Sequence, residues 1–240
     1  MFGGFIMKRY FIPTIIALFL ATGFSFMAGS LPAQDKPPHD PAGPAGDPDA
    51  NQPAADMKKF ENARYGISIE KPDDAVWKFR NKEGEYGVTR LVKMSSPTAS
   101  PSKERPLIDI YLEAYSEDLV FNIDGDQIAI SSLKQFAESI YKTMTTKDFT
   151  DIKDEKKPRE CKKYKIIKKG YDFVFTGRSV AGKAGCDVWK IIAKTEGTYV
   201  WVISVIGCAG EIEKTENEID KILKSLTIED PIKKKDKDKK

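Results

Sequence analysis

The sequence predicts a single α+β domain, an antiparallel sheet packed by helices. Three observations carry this. From Tyr199 to Ile206 the chain reads YVWVISVI, apolar on both faces and rich in β-branched and aromatic residues. Such a stretch fits a central strand covered on both sides. Two stretches carry helical stripes instead: Leu133, Phe136, Ala137, Ile140, Tyr141 and Met144, then Ile212, Ile219, Ile222, Leu223 and Leu226. The patterns run strands, helix, strands, helix, with mostly hairpin-length connections, which favours antiparallel pairing.

Residues 1–34 read as a secretory signal. Lys8 and Arg9 precede an apolar run from Tyr10 to Met27, and small residues follow, so cleavage after Ser30 or Ala33 is expected. The alternative is an uncleaved anchor, since the run is close to the shortest that spans a bilayer. No Cys lies near the cleavage region, which argues against a lipoprotein. Residues 35–56 are rich in Pro, Ala, Gly and Asp and read as a disordered linker. That linker holds His39, the chain's single histidine, which has no co-ligands for a metal.

The folded body, residues 57–230, is long enough for one domain with its own core. Tyr65, Ile67 and Ile69 alternate with polar residues, and Pro72 ends that strand. Val88 to Lys93 predicts a second strand, and Ser95 to Pro106 a Ser/Pro-rich loop. Leu107 to Tyr115 alternates, with Ile108, Ile110, Leu112 and Ala114 inward. Asp109, Tyr111, Glu113 and Tyr115 are expected on the outer face. Ser132-Leu133-Lys134-Gln135 has a capping-box pattern at the start of the first helix. Thr146 to Glu160 is charged and predicts a loop, and Tyr164 to Lys169 a Lys-bearing edge strand. Tyr171–Ser179 and Cys186–Lys194 predict a hairpin, and Glu196-Gly197 turns into the central strand. Gly207 to Gly210 then leads into the last helix, with Glu211 and Glu213 suited to its dipole. No GxxxxGK[ST] or GxGxxG occurs there, and two carboxylates would repel a phosphate. Residues 231–240 form a Lys-rich tail that reads as disordered, with six Lys and two Asp over Lys233–Lys240.

Tyr65-Gly66-Ile67-Ser68-Ile69-Glu70-Lys71-Pro72 with Trp77, and the terminal aromatic strand and helix ending ILKSLTI, resemble the two ends of PsbP-like domains. The resemblance brackets roughly residues 60–229 and implies an antiparallel sheet sandwiched by helices. It carries over no catalytic or metal-binding residue. That family ranges from photosynthetic accessory subunits to bacterial envelope proteins of unknown role, so the resemblance bears on fold more than on function.

The chain has a net charge of +3. Without Lys8 and Arg9 this falls to about +1, with cations mixed among acids, which argues against nucleic acid as a partner. The Lys tail could touch an anionic surface, lipid, wall polymer or protein. Cys161, Cys186 and Cys208 are headed for an oxidising compartment, where one disulfide is expected. Cys186–Cys208 is the expected pair, provided a bulge, or a turn wider than two residues at Glu196-Gly197, shifts the register. Cys161–Cys186 pairing and three reduced thiols remain open. Without a nearby His, Cys161 lacks the usual activator of a nucleophilic thiolate. Asn122, Asp124 and Asp126 resemble the start of a calcium loop, with Glu117 or Asp118 as further donors, but Gln127 and Leu133 stand where Gly and Glu belong. A solvated turn is the simpler expectation.

With no His in the body, His-based triads and His acid–base chemistry are excluded there. The expectation is an exported, non-catalytic protein without a cofactor, binding an envelope protein or a small ligand. The alternatives are a carboxylate-based enzyme such as a hydrolase, and a structural protein tethered by an uncleaved helix.

Overall fold

The computed structural model describes residues 58–80, 86–95, 106–181 and 184–229. The leader, the linker with His39, most of the Ser/Pro-rich loop and the Lys tail lie outside the described residues. In chain order the strands are β1 (Lys59–Asn62), β2 (Ile67–Glu70), β3 (Trp77–Arg80), β4 (Gly87–Lys93), β5 (Ile108–Ser116), β6 (Val120–Ile123), β7 (Asp126–Ala129), β8 (Phe149–Glu160), β9 (Lys169–Ser179), β10 (Gly185–Lys194), β11 (Tyr199–Cys208) and β12 (Thr227–Ile228). The helices are α1 (Leu133–Thr143), followed by one π turn (Met144–Asp148), and α2 (Glu211–Ser225).

Seven strands form the main sheet in the order β3-β4-β5-β11-β10-β9-β8. Every pairing in it is antiparallel. The mostly apolar strand β11 therefore sits in the middle, as its composition demands. Its two faces feed two separate cores. Trp201, Ile203 and Val205 pack with Ile219, Ile222 and Leu223 of α2 and with Phe60, Ile67 and Ile69 of a small β1-β2-β12 sheet. Val200 and Val202 pack on the opposite side with Phe136, Ala137 and Ile140 of α1, and with Ile123 and Ile128 of the β6-β7 hairpin. The α+β architecture expected from the sequence is the one observed.

Several local expectations are corrected. The outer face of β5 is not solvated throughout: Glu113 is 3% and Tyr115 4% exposed. Tyr86 stacks on Tyr115, and Phe121 of β6 meets its edge. The β6-β7 hairpin therefore converts an alternating strand into a two-sided one. Helix α1 does begin after Ser132, but the Ser132 side chain makes no capping bond, so the capping box does not form. The charged stretch predicted as a loop from Thr146 is, from Phe149 to Glu160, the long edge strand β8. Tyr164 to Lys168 is turn rather than strand, held down by a buried Tyr164 whose hydroxyl donates to Asp220 Oδ1 at 2.8 Å. Strands β1, β3, β6 and β7, four residues each, were not anticipated as strands.

Helix α2 is anchored at its start and at its middle by side chains distant in sequence. Gly210, at φ 80°, opens it. Asp187 of β10 then supplies the cap: its Oδ2 accepts the Gly210 N–H at 2.7 Å and the Ile212 N–H at 3.4 Å, while its Oδ1 accepts the Thr176 hydroxyl at 3.0 Å. A carboxylate here also meets the positive end of the helix dipole. Further along α2, Glu218 accepts from Trp77 Nε1 at 2.6 Å and from Lys93 Nζ at 2.9 Å, tying the helix to β3 and β4.

Candidate functional site

The first candidate is a polar ladder on the α1-side face of the main sheet. Register places Arg80 beside Arg90, Arg90 beside Tyr111, Tyr111 beside Ser204, and Ser204 beside Lys190. Five strands thus contribute one polar row to a face that is otherwise mostly apolar. Arg90 donates Nε to Asp109 Oδ1 at 2.8 Å and lies over the Tyr111 ring. Burial, with Asp109 nearby, pushes the Tyr111 hydroxyl up to about 12. Burial and the neighbouring Arg90 lower Arg80. Lys190 Nζ donates to Ser204 Oγ at 2.6 Å. A Ser–Lys contact can activate a nucleophile. Here Ser204 is 3% exposed in mid-strand, flanked on both sides by paired strands. Its local backbone N–H groups belong to the sheet ladders, so they offer no oxyanion site. Within the row, Arg90 ties β4 to β5 and Lys190 ties β10 to β11.

The second candidate is the outer edge formed by β8. Residues Thr150, Lys153, Lys156 and Arg159 pair with Arg178, Thr176, Val174 and Asp172. Each step takes three residues of β8 for two of β9, a repeated bulge. Asp151 and Asp154 sit between these positions with φ 54° and 49°. The β9 partners alternate, so they share one face. The same side of β8 therefore carries Thr150, Lys153, Lys156 and Arg159 in a row, spaced by about 6.8 Å, two strand residues.

The charge on this edge is segregated, which corrects the even mixture read from the composition. Residues 147–169 hold ten Lys and Arg against five Asp and Glu, a net of +5. Arg159 is held by Asp172, Lys162 by Glu160, Lys163 by Asp220 and Lys168 by Glu196. Lys153, Lys156, Lys157, Lys165 and Lys169 are exposed, and none forms an ion pair among the described residues. Of the acids, Asp151 faces Arg178 and Glu155 accepts from the Tyr141 hydroxyl. Asp148 lies at the start of this edge. Burial pushes its carboxyl up against the pull of Lys147 and Lys190, and its Oδ2 has no hydrogen-bond partner among the described residues.

The residues singled out by the sequence fall elsewhere. Asn122, Asp124 and Asp126 belong to the β6-β7 hairpin, whose tip is Asp124 at φ 54° and Gly125 at φ 92°. Asn122 Oδ1 accepts the Gly125 N–H at 3.1 Å, and Asp124 is bound by Lys147, which holds its carboxyl below the ordinary value. Glu117 accepts from Lys194 at 2.8 Å and Asp118 from the Ser116 hydroxyl. Among the described residues no cluster of three or more His, Cys, Asp or Glu is arranged to hold a metal ion. Cys186 and Cys208 stand directly opposite each other in the β10-β11 register. Lys194 pairs with Val200, leaving residues 195–199 as the wide turn that this pairing requires. Both are thiols here, Cys186 Sγ facing Ala184 O at 3.6 Å and Cys208 Sγ facing Pro106 O at 4.0 Å. Cys161 is buried, which raises its thiol.

No family model matches the sequence, and no curated protein matches it significantly. Solved structures do. The chain is similar to cyanobacterial PsbP from Synechocystis, at 10% identity and a TM-score of 0.41, covering 78% of this chain and 100% of that one. It is similar to LpqN, described as involved in cell envelope biogenesis of Mycobacterium tuberculosis, at 12% identity and 0.42, covering 68% and 82%. It is also similar to the Saccharomyces cerevisiae Ran-binding protein Mog1p, at 9% and 0.39, covering 72% and 95%. A PsbP protein, of the family whose resemblance was read from the sequence, is thus among these structures. At this level of similarity neither a site nor a partner passes from them to this chain.

Proposed function

We propose that this chain is an exported, non-catalytic binding protein whose contact surface is the basic edge of its main sheet. The observation that carries this reading is the set of five exposed lysines on β8, the turn after it and the first residue of β9, without carboxylate partners among the described residues. Cations held by structural carboxylates do structural work, whereas these five do none that the fold requires. Bulges and lysines also discourage another strand from pairing with this edge, so contact goes through side chains. A photo-reactive side chain placed at Lys156 is expected to crosslink in the native envelope, and one at Lys134 on α1 is not. Absence of adducts at 156 would overturn the reading.

Export is supported by the leader and by the cysteines. Directly opposed cross-strand residues have Cα atoms about 4.5–5.5 Å apart, inside the disulfide range of about 4.4–6.8 Å. In the envelope, exchange with a small-molecule disulfide would join Cys186 to Cys208, two electrons and two protons passing to the exchange partner. Closing that loop stabilises by roughly 3 kcal/mol in the chain-entropy account. Alkylation of the native, denatured but unreduced protein is expected to modify Cys161 alone; three modified thiols would refute the bridge.

A carboxylate enzyme is the second reading, and Asp148 is the observation in its favour: a raised carboxyl with an unpartnered oxygen near Lys190. Loss of a measured hydrolytic activity in Asp148→Asn would establish it.

A further inference from the structure

We propose that the partner of the basic edge is an anionic lipid bilayer. This rests on the reading that β8 is the contact surface. Three features of the edge select a charged plane over a pocketed ligand or a folded partner. The first is the kind of cation. The arginines here are engaged, Arg159 with Asp172 and Arg178 with Asp151, and the cations left over are all lysines. Arginine forks suit bidentate recognition of a single carboxylate or phosphate; lysines are hydrated point charges that suit a diffuse anionic surface. The second is geometry. The three-for-two register places Lys153 and Lys156 in line on one side of an edge strand, with Lys157, Lys165 and Lys169 also exposed nearby in the chain. They lie along an outer edge rather than around a shared centre.

The third is the neighbouring surface. Val180, 57% exposed, directly follows β9 at the end where β8 begins, and its N–H bonds to Asp148 O. It offers a small apolar contact at the end of the edge where β8 starts, a few residues before Lys153. The sequence points the same way at its C-terminus, where Lys233–Lys240 is Lys-rich. Each lysine near an anionic membrane surface contributes on the order of a fivefold gain in partition, falling off within a Debye length.

The test is sedimentation of the full chain with vesicles of phosphatidylglycerol and phosphatidylcholine in equal parts, at low and physiological salt. Vesicles of phosphatidylcholine alone report any insertion of the apolar run. The β8 variant is Lys153→Glu/Lys156→Glu/Lys157→Glu. A control, Lys58→Glu/Lys134→Glu/Lys221→Glu, makes the same change in net charge elsewhere on the exposed surface, and a third form lacks Lys233–Lys240. Binding that needs phosphatidylglycerol and weakens with salt is expected, with a loss of about a hundredfold in the β8 variant on the per-lysine figure. The control is expected to stay near wild type, and circular dichroism shows that each variant is folded. Equal binding to both vesicle types, no binding, or loss only on tail deletion would overturn the proposal. If vesicles fail while crosslinks at position 156 persist, the bilayer is excluded and the contact surface stands; if both fail, so does the surface.

Discussion

At the scale of single residues, Asp187 does more than its place in a strand suggests. It is 7% exposed, and its two oxygens serve a hydroxyl on β9 and the first turn of α2. Asp187→Ala would leave those buried donors unmatched at a helix start that has no local side-chain cap. Losing a cap costs about 0.5–2 kcal/mol, and unsatisfied buried donors add to it. Urea unfolding is expected to show a loss of roughly 2 kcal/mol, with Asp187→Asn intermediate; an Ala variant as stable as wild type would remove Asp187 from the capping role. Asp148 predicts a pH-dependent effect in which removing the carboxyl stabilises. Burial raises its folded-state pKa above the unfolded value, so its charge opposes folding at neutral pH. That penalty fades as pH falls through the raised folded pKa toward the unfolded one. Asp148→Asn is therefore expected to exceed wild type in stability at neutral pH, with the gap closing on acidification. A gap that widens on acidification would contradict the assigned burial.

At the scale of elements, β8 explains why part of the fold escapes a reading of the sequence. A strand announces itself by period-two alternation, and β8 pairs at every third residue through most of its length. Its bulges erase the pattern, and its charges imitate a loop. The bulges also make a testable demand. Asp154 sits at φ 49°, a region where a β-branched residue is strained. Asp154→Gly is expected to stay within about 0.5 kcal/mol of wild type, while Asp154→Val should lose about 1–2 kcal/mol. Equal stability of the two, by urea midpoint, would mean that the backbone there is not constrained as described. The two helices were legible because each keeps one apolar stripe against one face. Strands β1 and β3, at four residues, lack the flanking Tyr65 and Pro72 that made the equally short β2 readable. The polar ladder of Arg80, Arg90, Tyr111, Ser204 and Lys190 was invisible because each strand supplies one member and only register assembles them. Cys186 and Cys208 were the exception, since a single hairpin links them and its register alone decides whether they stand opposite each other.

At the scale of the whole molecule, two cores share one sheet. Ile222 of α2 and Ile140 of α1 lie in different cores on opposite sides of it, 1% and 7% exposed. Helices pack roughly 10 Å from a sheet on each side, so these two side chains have no common neighbours. Ile→Val at either site should cost about 0.5–1.5 kcal/mol, one methylene and its residual cavity. The double variant should then lose the sum within about 0.5 kcal/mol, as distant sites do. Cooperativity is the sharper question. Strand β11 gives Val200 and Val202 to one core and Trp201, Ile203 and Val205 to the other. Neither core can open without exposing the back of a strand that the other still holds. Both variants should therefore shift one unfolding transition, seen alike by tryptophan fluorescence and by far-ultraviolet circular dichroism. Trp77, Trp189 and Trp201 all report on the α2 side. If the α1 core melted by itself, Ile140→Val would move the dichroism midpoint and leave the fluorescence midpoint in place, and the shared sheet would not be the element that makes this protein one folding unit.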